Sequence, residues 1–169
     1  MKKKGKENNI FIILHNIRSA YNIGSILRTA DAVGVDKVFM TGYSPSPLDK
    51  YGRVRSDIHK TALGAEKTIS WKHVRSLPAL LSRLKRDGTT IISVEQTKES
   101  IDYRDVVIMG PTVFIFGNEV RGLSQAVLQK SDKVSMIPMC GNKESLNVAT
   151  ASPATAFPKS ANPSAADFS

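Results

Sequence analysis

The feature that most constrains this chain is the stretch 113–150, where two strand ends lie close together in sequence, each followed by a polar loop and a helix start. Val113, Phe114, Ile115 and Phe116 form a short apolar, β-prone run of the kind a strand buried on both faces requires. Gly117 ends it, and Asn118, Glu119, Val120 and Arg121 make a polar loop before Gly122. Ser124 is placed to cap a helix over 125–130. Val134–Ile137 is a second apolar strand, stopped by Pro138. A glycine loop over 141–143 follows, and Ser145 is placed to cap a helix starting Leu146, Asn147, Val148. In parallel α/β sheets, adjacent carboxyl ends of this type form the ligand crevice.

Upstream, Ile10–Leu14 reads as another buried parallel strand. The polar loop His15–Asn22 leads into a helix, with Asn22 as its expected N-cap. Ile23, Ile26, Leu27, Ala30 and Val33 then fall at helical spacing to face a sheet, and Arg28 lies off that stripe. Taken alone, Arg28 reads as a solvated helix arginine. Gly34 closes the helix, and Val38–Met40 forms the next strand. The long loop 43–57 carries Lys50, Arg53 and Arg55 with Tyr43 and Tyr51, which reads either as a base-stacking surface or as an ordinary excursion. Trp71 reads as core, and Leu77, Leu80, Leu81 and Leu84 form a helical stripe with Pro78 in the first turn. Thr89–Glu95 is a further strand whose end, through Thr97, lies at the same sheet edge as the two loops.

Three motifs resemble those of the SpoU/TrmH family of RNA ribose 2′-O-methyltransferases, within the SPOUT class. They are NIRSAYNIGSILRTADA (16–32), FGNEVRGLS (116–124) and IPMCGNKESLNVATA (137–151). The resemblance implies an α/β domain of SPOUT type over 8–151, a mostly parallel sheet with helices on both faces, and a trefoil knot. It implies transfer of methyl from S-adenosylmethionine to a ribose 2′-hydroxyl in tRNA or rRNA, with no metal, by a homodimer; the single cysteine separately fits a reducing cytoplasm. It assigns Arg28, Asn22, Glu119 and Asn147 to catalysis. Gly117, Ile137, Ser145 and Leu146, bordered by Thr97 and Glu95, would hold the cofactor. Arg18, Arg53, Arg55 and Arg121 would meet RNA. A guanidinium is a very poor base, so Arg28 is expected to act with help from an RNA phosphate or to stabilise the developing alkoxide. Glu119 is expected to pair with an arginine.

Bulk properties agree with that assignment. A net charge of +9 favours a polyanionic partner. The three histidines and one cysteine, Cys140, show no metal-ligand spacing, and the lone cysteine permits no internal disulfide. No apolar run reaches the length of a membrane span. No GxGxxG follows the first strand, which disfavours a dinucleotide enzyme. Lys2, Lys3, Lys4 and Lys6 make residues 1–7 a basic leader. After Ala151 the chain departs from the family pattern: Pro153, Pro158 and Pro163 interrupt residues 152–169, so this tail is expected to stay mobile and to weaken the knot and the dimer. A protein that keeps the fold and binds RNA without catalysis is the alternative reading.

Overall fold

The computed structural model describes residues 9–139, 147–149 and 151. The Ser145, Leu146 and Cys140 assignments, the leader and the tail lie outside the described residues. The strands are β1 (Ile10–His15), β2 (Lys37–Thr41), β3 (Trp71–Val74), β4 (Thr90–Val94), β5 (Ile101–Asp102), β6 (Thr112–Phe116) and β7 (Lys133–Met136). The helices are α1 (Ala20–Val33), α2 (Ser56–Ala62), α3 (Ala65–Thr68), α4 (Leu77–Arg86) and α5 (Gln125–Leu128). All seven strands lie in one sheet of order β3-β2-β1-β6-β4-β7-β5, and every pairing is parallel.

Alternation along the strands divides the core in two. Ile12, Leu14, Val38, Met40, Ile92, Phe114 and Phe116 pack on one face with Ile23, Ile26 and Leu27 of α1 and Ile58 of α2. Ile13, Phe39, Ile91, Val113 and Ile115 pack on the other with the α4 leucines and Val127 of α5. The strands are therefore apolar on both faces, as the unbroken run 113–116 requires. Burying each such side chain is worth roughly 1.5–3 kcal/mol.

The connections set the crevice. From β1 the chain moves outward to β2 and β3, whereas from β6, the neighbour of β1, it moves the other way to β7. This reversal is a topological switch point, and the carboxyl ends of β1 and β6 flank it. Leu14 and Val94 both pair with Phe116, so the residues that follow, His15, Glu95 and Gly117, emerge side by side.

Several local expectations are corrected. The N-cap of α1 is Ser19, not Asn22: the Ser19 hydroxyl accepts from the Asn22 amide nitrogen at 3.2 Å. A hydroxyl three residues upstream reaches that orphan N–H directly, which leaves the Asn22 side chain free for a distant partner. Ser124 caps α5 by position, but its side chain makes no cap hydrogen bond. Loop 43–57 ends sooner than expected, because Asp57 lies in the first turn of α2. Trp71 opens β3 and is only partly buried, its indole N–H donating to the Glu66 carbonyl. The two-residue strand β5 has no readable sequence pattern.

Candidate functional site

The loop 117–122 folds back tightly between the ends of β1 and β4. A Cβ on Gly117 would stand 2.7 Å from the Gly122 carbonyl carbon. Gly122 has φ +64, and a Cβ there would meet Glu95 Oε2 at 2.3 Å. Glycine at 117 is thus demanded by the chain's own return, besides any ligand. Asn118, 7% exposed, is the loop's anchor. Its Oδ1 accepts from Val120 N (3.0 Å) and Arg121 N (2.8 Å). Its Nδ2 donates to Asn16 O (3.0 Å) and the Tyr43 hydroxyl (2.8 Å). All four bonding capacities of the amide are engaged.

Glu119 reaches back to the start of α1. Its carboxylate accepts from the backbone N–H of Arg18 (3.2 Å) and Ser19 (3.5 Å) and from Asn22 Nδ2 (3.1 Å). The expected arginine ion pair does not form among the described residues; Arg18 contributes its backbone instead. Partial burial pushes the Glu119 carboxyl up, but the hydrogen bonds from its own N–H, Arg18, Asn22 and Ser19 outweigh it and leave the pKa below the usual value. Glu119 is therefore an ionised acceptor near neutral pH, not a proton donor.

The structure brings Asn22 and Glu119 together and leaves Arg28 apart from them. Arg28 is exposed on α1, six residues beyond Asn22, hence roughly 9 Å along the axis and about 120° around it. It has no hydrogen bond or ion pair among the described residues. Asn147 is exposed and its Oδ1 accepts from Ala149 N at 2.8 Å, a cap on the short helical turn there.

A cavity of about 330 Å³ opens beside this cluster, lined by Val94, Glu95, Phe116, Gly117, Glu119 and Val148 among others. Its volume falls at the lower end of small-molecule sites, roughly 300–1,000 Å³. Apolar Val94, Phe116 and Val148 can face a ring, and the backbone at 117–122 can meet polar edges. This lining fits an adenosine-bearing ligand. Glu95 does more than border it: Oε2 accepts from Leu123 N at 2.8 Å and so clamps the loop's exit. Thr97 lies on a different cavity, with Lys98, Gln125 and Val134. Ile137 is half-buried just past β7 and lines neither cavity.

A third cavity, about 570 Å³, is lined by Arg18, Tyr43, Asn118, Val120 and Arg121. The RNA candidates Arg18 and Arg121 are thus neighbours, both exposed. Arg53 and Arg55 are held elsewhere by local carboxylates, Arg53 Nε at 2.9 Å from Asp49 and Arg55 Nη2 at 2.7 Å from Asp57. Sequence reasoning missed Asn118 as an anchor, although it is the first side chain after Gly117 that can bond to several backbone groups at once. Among the described residues, no group of three or more His, Cys, Asp or Glu converges as a metal site, and no helix is long and apolar enough to cross a membrane.

A parallel sheet with its crevice at the switch point and a glycine-bounded loop over it defines a ligand-binding α/β domain. The model of the SpoU rRNA Methylase family matches residues 9–156, and the chain belongs to that family. It is 30% identical over 86% of its length to a tRNA (guanosine(18)-2′-O)-methyltransferase of Aquifex aeolicus, covering 66% of that protein. It is 33% identical over 84% of its length to the 23S rRNA (guanosine-2′-O-)-methyltransferase RlmB of Neisseria meningitidis, covering 54% of it. The chain therefore spans about half to two thirds of these relatives. Among solved structures, the A. aeolicus TrmH/SpoU tRNA modifying enzyme superposes with a TM-score of 0.76 at 29% identity, over 92% of this chain and 75% of that one. The AdoMet-bound rRNA methyltransferase from Sinorhizobium meliloti superposes with a TM-score of 0.79 at 25% identity, over 90% and 56%.

Proposed function

We propose that this chain transfers a methyl group from S-adenosylmethionine to a ribose 2′-hydroxyl of tRNA or rRNA. Beyond family membership, the observation that carries the reading is the Asn22–Glu119 pair standing at the rim of the 330 Å³ cavity. S-adenosylmethionine would supply an electrophilic methyl: the new bond to the 2′-oxygen replaces the sulfur–methyl bond, whose electron pair returns to sulfur, and the hydroxyl proton passes to an RNA phosphate near Arg28 or to water. The sulfonium supplies the leaving group. Gly117, Glu95 and Val148 would hold the cofactor where they line the cavity, and the family resemblance adds Ile137, Ser145 and Leu146 from the third motif. Glu119 fixes the Asn22 amide by accepting from Nδ2, which leaves Oδ1 to accept from the ribose hydroxyl. Holding both partners is the larger part of the catalysis. Arg28 acts from the RNA side, on the proton through a phosphate or on the developing alkoxide. Asn147 orients the third-motif segment. By the family resemblance, the working unit is a homodimer; the single cysteine fits a reducing cytoplasm.

Calorimetric titration tests the cofactor: S-adenosylmethionine binds and NADH does not, and equal binding of both, or of neither, refutes the assignment. Arg28→Ala abolishes methyl transfer to bulk RNA while cofactor affinity stays within a few fold, a loss of about 3 kcal/mol or more in the transition state. Unchanged turnover removes Arg28 from the mechanism. Sedimentation tests the dimer.

A further inference from the structure

The 570 Å³ cavity has a composition the methyl-transfer site does not explain. Tyr43 presents a large ring, 57% exposed, yet the residue is tied down at two points. Its hydroxyl accepts from Asn118 Nδ2 at 2.8 Å, and its backbone N–H donates to Asn16 Oδ1 at 3.3 Å. An exposed aromatic held in one orientation is a preformed platform: its face is open and the entropy of positioning it is already lost. Arg18 and Arg121 stand on the same cavity, and neither side chain has a hydrogen bond or ion pair among the described residues. Tyr51, by contrast, has Lys50 Nζ 4.9 Å and Arg53 Cζ 5.0 Å from its ring centroid, so its ring is already engaged by its own loop.

Asn118 and Val120 line both this cavity and the one beside Glu119. The two spaces adjoin across a single loop, so a base held in this one lies next to the rim of the cofactor's cavity, where Glu119 and Asn22 would meet its ribose. Unpaired bases are recognised by stacking on aromatic rings and guanidinium planes, with cations on the flanking phosphates.

We propose that Tyr43, Arg18 and Arg121 form a subsite that receives the unstacked base of the nucleotide being modified, with the base on the Tyr43 ring and a flanking phosphate between the two guanidiniums. This rests on the RNA methyltransferase reading. Asn118 is a positioning residue, setting the ring through the hydroxyl and Arg121 through its backbone. Stacking accepts any base, so the subsite selects for a nucleotide out of the helix, in a loop or bulge, more than for base identity.

The test is equilibrium binding of a hairpin RNA with a single-stranded loop, in an intact and an abasic-loop version, across a salt series. Tyr43→Ala is expected to weaken binding of the intact hairpin on the order of 5- to 150-fold, the usual strength of one base–aromatic stack. The log–log salt slope stays unchanged, and the variant shows no further loss on the abasic hairpin. Tyr43→Phe keeps the ring and stays within a few fold of wild type. Arg121→Ala instead lowers the slope by about 0.7 on both hairpins. Unchanged affinity in Tyr43→Ala overturns the proposal, as does an equal loss on both hairpins or an equal loss in Tyr43→Phe. Methyl transfer and cofactor titration are scored separately. If wild type shows these RNA signatures but neither binds nor uses S-adenosylmethionine, the methyltransferase reading fails and the base subsite stands.

Discussion

Two polar loops of this chain look alike on paper and behave differently in the fold. The loop 117–122 and the loop 42–55 both follow a buried strand, both contain glycine and arginine, and both invite an RNA-binding reading. In the first, local bonds of Asn118 to Val120 and Arg121 are joined by long-range ones: Glu119 to Arg18 and Asn22, Asn118 to Asn16 and Tyr43, and Glu95 to Leu123 just past the loop. In the second, most are local: Asp49 accepts from the backbone N–H of Tyr51 and Arg53 and from the Arg53 guanidinium, and Arg55 pairs with Asp57. A loop bonded mainly to itself is a surface feature whose charges are largely spent. A loop bonded to three other strand ends is part of the scaffold, and the groups it leaves over are the ones available for chemistry. Tyr43 belongs to the second loop by sequence and to the first by its bonding.

The sharpest break in this contrast is Asn118→Ala. It removes four part-buried hydrogen bonds at once, to the Val120 and Arg121 N–H groups, the Asn16 carbonyl and the Tyr43 hydroxyl, at an expected cost of about 2–4 kcal/mol. Urea unfolding measures it; a loss near that of a surface substitution would show that the loop is not anchored through this side chain. Gly117→Ala comes next, because the new methyl meets Gly122 backbone that cannot rotate away: about 1–3 kcal/mol, with weakened cofactor binding. Gly52→Ala in the other loop is the matched control. It has a positive φ, +77, which Gly117 lacks, and nothing within 4 Å, so the clash is absent, only the left-handed backbone cost of about 1–2 kcal/mol applies and cofactor affinity is untouched.

The loops meet at the end of β1, and pH sharpens the comparison there. His15 Nδ1 is 2.8 Å from Thr41 Oγ1, and its Nε2 lies 3.1 Å from Asn16 Nδ2. The amide can only donate, so Nε2 accepts and Nδ1 carries the proton, a neutral ring. Burial lowers its pKa below the ordinary 6.5. Between the lowered value and 6.5 the unfolded chain binds a proton that the native state refuses. Stability from this group is therefore full above that window and lost as pH falls through it. His15→Gln should flatten that part of the melting profile; an unchanged profile would show that His15 does not contribute. The smallest effect belongs to Asp49→Ala, which removes a solvent-screened ion pair and two exposed bonds to the Tyr51 and Arg53 N–H groups within one surface turn, and should lower the melting midpoint least of the set.

What could be read from the sequence follows the same division. The strand runs at 10–14, 38–40, 89–95 and 113–116 are legible because burial on both faces forces largely apolar stretches, and α4 because its leucines repeat at helical spacing. The Asn22–Glu119 pair was legible only as membership in motifs; no local pattern announces a bond between residues 97 apart. Ser19 was missed because two good caps, Ser19 and Asn22, stand three residues apart and only the fold decides between them. Arg53 and Arg55 looked free because a carboxylate two or four residues away carries no sign of the turn that brings it round.

The place of β6 in the sheet has a consequence for how the chain is made. β6 lies between β1 and β4, yet it is synthesised after both. Until it arrives, each of those strands has an open edge, and the β1–β2–β3 half has no partner on its inner side. The central strand is thus a wedge that joins two earlier pieces, and its loop delivers Glu119 to α1 in the same movement. High sequence separation makes such closure slow. Folding of the sheet and completion of the Asn22–Glu119 cluster should therefore share one late step, so a nascent chain stopped before residue 112 would carry Asn22 and Glu95 but not the Glu119 loop that assembles them into a site.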